Sequence, residues 1–182
     1  MERYDLSNLD VLIVDRNPHM LAIMQTALRE LGIARIRETD DPDIAFQMFK
    51  EHQADIIFSD WVPGRDELKF LHMVRSSNKS PNPFVPIIIV TAYSEQTNVI
   101  SARDLGMTEF LATPVSVKAI YGHICSVIKD KRLFIKEQKF FGPDRRRRDG
   151  KVAADEERRK TVEPEVADAA LPEAEPSSQK KT

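Results

Sequence analysis

Cysteine is almost absent from this chain of 182 residues: Cys125 stands alone, so an intramolecular disulfide is impossible and a cystine-stapled fold is excluded. Its place in an apolar helical pattern reads as a small buried hydrophobe, and a reducing compartment fits. Long apolar runs are missing too. No window approaches the roughly 18 apolar residues of a membrane helix, and Met1-Glu2-Arg3-Tyr4-Asp5 opens without the apolar segment of a secretory leader. A cytoplasmic protein without membrane contact is therefore expected. Charge of one sign is also not in excess. The 27 Lys and Arg balance 29 Asp and Glu to a formal net charge of -2, so any pull on nucleic acid or on an anionic surface must be local. Helix-turn-helix, zinc-ligand spacing, phosphate-binding glycine loop and nucleophile elbow are all missing from the C-terminal part, so no attached DNA reader or output enzyme is expected there.

What is present suffices for one core. Hydrophobic residues make up 41% and charged residues 31%, and the length fits a single domain with an appendage. The apolar runs Val11-Leu12-Ile13-Val14, Ile56-Ile57-Phe58 and Ile87-Ile88-Ile89-Val90 have strand length and no polar alternation, the pattern of parallel strands buried on both faces. Asn17-Pro18 and Asp41-Pro42 each set a capping side chain before a proline suited to the first helical turn. The first helix carries Leu21, Met24, Leu28 and Leu31 and stops at Gly32; the second carries Ile44, Ala45, Met48 and Phe49. A short strand over 34–39, helices over about 68–76 and 97–105, a strand over 109–112 and a last helix from Ser116 complete five βα units. The fold class is thus α/β, a doubly wound five-stranded parallel sheet with right-handed crossovers, whose ligands bind beyond the carboxyl ends of the strands. Beyond about Arg132 the composition shifts. A linker over 131–149 carries Phe140-Phe141 and Arg145 to Arg148, and 150–182 reads as a disordered charged tail.

Asp15, Asp60 and Thr91 close strands 1, 3 and 4 at the ligand-binding face. Clustered carboxylates repel each other unless a cation lies between them, which suggests a hard divalent ion such as Mg2+. With Asp60-Trp61, Thr91-Ala92 and Thr113-Pro114, these residues resemble the landmarks of the response-regulator receiver family over roughly residues 9–130, a flavodoxin-like fold. The resemblance implies that Asp60 is a phosphoacceptor. It also implies that Asp15, Asp60 and the Val62 backbone carbonyl hold Mg2+, and that Thr91 and Phe110 form a switch. The implied partners are a sensor histidine kinase or phosphotransfer protein and an unknown downstream protein, in a bacterial two-component or phosphorelay pathway. The output is contact with protein, not catalysis; nucleic acid and membrane are not expected partners.

Two positions depart from that family's pattern. Arg16 stands where a second acid follows strand 1, and Thr113 where a lysine precedes the proline after strand 5; the loop Val62-Pro63-Gly64-Arg65-Asp66-Glu67 is also a residue shorter. A guanidinium at position 16 can approach Asp60 and take over part of the cation's role. The leading expectation is a stand-alone receiver phosphorylated on Asp60. The first alternative is a phosphorylation-independent pseudo-receiver that only docks partners, and the second a small metal-dependent phosphatase with Asp60 as nucleophile, which lacks a further acid. His19 is read as a solvated helix-start residue, and Trp61 as packing at the rim of the site. Tyr121, Val117, Ile120, Ile124 and Ile128 form an apolar stripe that is mostly core, and the four-arginine run reads as a solvated linker.

Overall fold

The computed structural model describes residues 4–61, 68–93 and 96–129, together with the backbone of 134–137, 140–143 and 160–162. Five strands, β1 (Asp10–Val14), β2 (Arg35–Thr39), β3 (Ile56–Asp60), β4 (Ile87–Thr91) and β5 (Glu109–Ala112), alternate with α1 (Pro18–Glu30), α2 (Pro42–Glu51), α3 (Lys69–Ser76), α4 (Gln96–Asp104) and α5 (Val117–Lys129). All neighbouring strands are parallel, in the order β2-β1-β3-β4-β5. This is the doubly wound α/β sheet expected from the apolar runs. The central strands are apolar on both faces, whereas β2 at the edge carries Arg35, Arg37 and Glu38, charges that discourage pairing with a further strand.

Successive strand residues point to opposite faces, and this alternation divides the interior in two. Leu12, Val14, Ile57, Ile87 and Ile89 pack with Ala45, Phe46 and Phe49 of α2 and Phe70, Leu71 and Val74 of α3. Val11, Ile13, Ile56, Phe58, Ile88 and Val90 pack with Met24, Ala27 and Leu28 of α1 and Ile120, Ile124 and Val127 of α5. The α5 stripe expected from sequence is core at Ile120 and Ile124, while Val117, Tyr121 and Ile128 are half-buried against the same cluster. The apolar face expected for α2 is rotated: Ile44 is 54% exposed and Phe46 is buried in its place. The Asp41 cap sets the helix entry, and Phe46 in the interior removes more apolar area from water than Ile44 could. Cys125 is half-buried, not a core residue.

The helix starts follow the capping signals. The Asn17 side chain accepts from the His19 N–H at 3.0 Å, and Asp41 accepts from Asp43 N–H at 2.7 Å and Ile44 N–H at 3.1 Å, satisfying first-turn donors. Gly32 and Gly106 both end helices with left-handed φ of 87° and 92°. In each case the glycine N–H and the next N–H reach back to carbonyls of the last turn: Gly32 to Arg29 and Ile33 to Leu28, Gly106 to Arg103 and Met107 to Ala102. A Cβ would strain that conformation.

Beyond α5, β6 (Phe134–Glu137) and β7 (Phe140–Pro143) form an antiparallel hairpin, and β8 (Lys160–Val162) pairs antiparallel with the other edge of β6. The linker expected over 131–149 therefore contains two strands, because Phe134-Ile135 and Phe140-Phe141 supply aromatic and β-branched residues that favour extended backbone. Of the tail over 150–182, Lys160–Val162 lies in this sheet; the rest of that stretch, and the run Arg145 to Arg148, lie outside the described residues. Among the described residues no helix is long and apolar enough to cross a membrane.

The amino end of the sheet is pinned by one buried cation. Arg75 of α3 is 5% exposed, and it donates from Nε to the Gly106 carbonyl at 2.9 Å and from Nη1 to the Pro83 carbonyl at 2.7 Å. Thr108 sits beside it and accepts from the Ile87 N–H at 3.0 Å. Burial lowers the Arg75 pKa to about 9, so it stays charged at neutral pH. Arg75→Leu keeps the apolar stem but leaves two carbonyls without their donor, and we expect a loss of about 2–4 kcal/mol in stability by urea unfolding; a change under about 1 kcal/mol would show that Arg75 is dispensable.

Candidate functional site

Because the strands are parallel, their carboxyl ends lie together, and the residues that follow them share one face. Asp15 follows β1 and Asp60 ends β3. Both line a small cleft of about 40 Å³ together with Arg16, Asp40, Ser59, Trp61, Leu68 and Lys69. That volume suits an ion with a few waters or one small anionic group, not an organic substrate.

Asp15 is 6% exposed, and its Oδ1 accepts from the Asn17 N–H at 2.7 Å. Its pKa is raised to about 6, chiefly by burial and further by the negative charge of Asp60, against the lowering by the Asn17 N–H. Asp60 is half-buried. Its pKa is also raised by burial, while the Trp61 N–H and the Arg16 guanidinium pull it back down. Arg16 is thus among the groups that lower the Asp60 pKa, and together with Lys69, which acts more strongly there, it lowers that of Asp41.

The donor set is two carboxylates in one cleft, both raised in pKa by burial, with the charge of Asp60 adding to the rise at Asp15. A hard divalent cation relieves both costs at once. Among the described residues no three His, Cys, Asp or Glu side chains converge on a metal position. Mg2+, which uses one or two carboxylates and retains several waters, fits such a set. The Val62 carbonyl lies outside the described residues.

Thr91, 3% exposed, does not line the cleft. Its Oγ1 donates to the Trp61 carbonyl at 2.6 Å and accepts from the Tyr93 N–H at 3.1 Å. The hydroxyl is thus one residue away from the Asp60 carboxylate and committed to backbone. Phe110 is half-buried against the α2–α3 side of the core. The Thr113 N–H donates to the Thr91 carbonyl at 3.0 Å, which ties the end of β5 to that of β4, and Thr113 contributes nothing to the cleft lining. Trp61 is buried beside Asp60, deeper than the rim position expected. His19 is exposed.

Two cleft residues were missed by sequence reasoning. Asp40 follows β2, and the strand-end rule that found Asp15 and Asp60 applies to it equally. Lys69 had no signal, because it reaches the cleft only through the way the chain enters α3. Leu68 adopts left-handed backbone with φ 59° while its side chain is buried in the core. Its burial offsets the steric cost of that conformation.

A family model described as "Response regulator receiver domain" matches residues 11–124. The chain is 27% identical over 113 residues to the chemotaxis protein CheY of Pseudomonas aeruginosa, a match covering 62% of this chain and 90% of that protein. The structure of Vibrio cholerae chemotaxis protein CheY4 is similar, with TM-score 0.58, 21% identity and coverage of 65% of this chain and 98% of that one. The receiver domain of a sensor histidine kinase from P. aeruginosa, solved with a magnesium ion in its active-site cleft, is similar with TM-score 0.55, 26% identity and coverage of 65% and 95%.

The raised carboxyl pKa of Asp15 has a consequence for stability. The folded state binds more protons than the unfolded chain between the ordinary carboxyl value of 3.8 and about 6, so stability falls as pH rises through that window. Asp15→Asn retains an oxygen for the Asn17 N–H and removes the charge. In EDTA it is expected to be more stable than wild type by about 1–3 kcal/mol at pH 7.5 and equal near pH 4. Urea unfolding at the two pH values checks this, and a difference independent of pH would refute it.

Proposed function

Since this chain belongs to the response regulator receiver domain family, we propose that it accepts a phosphoryl group on Asp60 and signals by contact with another protein. The family is one of signalling modules in two-component pathways. The observation that carries the reading is the convergence of Asp15 and Asp60 in a cleft sized for a phosphoryl group at the carboxyl ends of parallel strands. The partner on the donor side is then a sensor histidine kinase or a phosphotransfer protein.

In this reaction a carboxylate oxygen of Asp60 attacks the phosphorus of a phosphohistidine in line with the P–N bond. That bond breaks, the departing imidazole takes up a proton from solvent, and an acyl phosphate remains on Asp60. Asp15 and Asp60 are the residues to hold Mg2+, which would neutralise charge on the transferring oxygens. Arg16 supports the ionised, nucleophilic form of Asp60 and supplies fixed positive charge beside it. Trp61 and Leu68 wall the cleft and limit water at the acyl phosphate. Once the phosphoryl group is in place, the Thr91 hydroxyl exchanges the Trp61 carbonyl for a phosphoryl oxygen, and Phe110 repacks with the shift of the β4 end.

A second reading is favoured by two specific features: Thr113 brings no cation to the cleft, and the Thr91 hydroxyl is already satisfied by backbone. On this reading the fold docks partners without phosphorylation. Intact mass after incubation with acetyl phosphate and Mg2+ separates the two. We expect wild type to gain one phosphoryl group and Asp60→Asn to gain none; an unmodified wild type would support the pseudo-receiver.

A further inference from the structure

A phosphoryl group on Asp60 brings about two negative charges into a cleft already lined by Asp15 and Asp40. Its stability there depends on which cations can reach it. Among the described residues two cationic side chains line the cleft, Arg16 and Lys69. Arg16 already acts on Asp60, and both cations act on Asp41, Lys69 more strongly than Arg16. Lys69 is the first residue of α3, and the left-handed turn at Leu68 brings it to the cleft wall. Its Nζ is held 2.6 Å from Oδ2 of Asp43 in the first turn of α2. That pair is solvated: the Lys69 side chain is 45% exposed and that of Asp43 62%.

An exposed pair of this kind contributes little, on the order of a two- to fivefold equilibrium effect, whereas a doubly charged phosphoryl group in a partly dehydrated cleft is a stronger partner for the same ammonium. The lysine stem is flexible, with three donors that need no fixed geometry. We infer that Lys69 is the phosphoryl-binding cation of this cleft, leaving Asp43 for the modified Asp60. The inference rests on the acceptor reading and adds a consequence to it. At rest Lys69 ties the start of α3 to the start of α2, and the exchange releases that tie, so α2 and α3 report the state of Asp60.

The test is a titration with beryllofluoride in Mg2+, read by Trp61 fluorescence, on wild type, Lys69→Ala, Lys69→Arg and Asp43→Ala, with urea unfolding of each as a check on folding. We expect Lys69→Ala to bind the mimic about tenfold more weakly and Lys69→Arg to restore most of the loss. Asp43→Ala is expected to bind about two- to threefold more tightly, because it releases the lysine from its resting partner. A plain structural tether would weaken binding in Lys69→Ala and Asp43→Ala alike, and that result would overturn the inference. Unchanged affinity in Lys69→Ala, with wild type responding, would remove Lys69 and leave the acceptor role of Asp60 standing. A wild type that does not respond would remove both.

Discussion

Two carboxylates, Asp15 and Asp60, are held close together and largely out of water at one end of the sheet, and much of the rest of the structure bears on that unfavourable arrangement. The parallel strands force it: with β1 and β3 adjacent and in register, the residues at their carboxyl ends cannot be placed apart. Burial raises both pKa values, and the negative charge of Asp60 adds to the rise at Asp15. The stabilising groups around them, the N–H groups of Asn17 and Trp61 and the guanidinium of Arg16, offset part of the cost. What is left over favours a cation or a change of protonation. A cleft in that condition is disposed to bind and to react, and the surrounding hydrophobic packing supplies the stability that lets it persist.

The packing follows a simple rule. The strands β1, β3, β4 and β5 send alternate residues to two separate clusters, so the helices on the two sides of the sheet do not share a core. Residues of α2 and α3 pack against one face and those of α1 and α5 against the other. The cleft is walled from α2 and α3, through Pro42, Leu68, Lys69 and Phe70. A shift there is therefore felt first on that side of the sheet, and it reaches the other side only through the strands themselves.

The strands, the order of elements and the two acids were readable because unbroken apolar runs and prolines after capping residues are local signals. The rotation of α2 was not, since Ile44 and Phe46 are both apolar and only packing decides which one is buried. Asp40 lay within reach of the same strand-end argument, since it directly follows the short strand read over 34–39. Lys69 could not be found from spacing, because its place depends on the backbone at Leu68 and on the loop before it. The hairpin of β6 and β7 was obscured by the charged residues around it, which gave that stretch the composition of a linker although Phe134-Ile135 and Phe140-Phe141 carry strand propensity.

The two ends of the sheet differ in mechanical character. At the amino end, Arg75 binds carbonyls of Gly106 and Pro83 beside Thr108, and Thr108 holds the first residue of β4 through the Ile87 N–H. The segments that lead into β4 and β5 are thereby clamped to α3 by one rigid planar group. At the carboxyl end, the connections among the described residues include main-chain bonds from Asp15 to Thr39 and from Thr113 to Thr91, the Thr91 hydroxyl and an exposed ion pair. The strands are thus like reeds set in a block: the buried charge that anchors them lies at the end of the sheet opposite the acids, and the chemistry of the cleft is left to the end joined mainly by main-chain bonds.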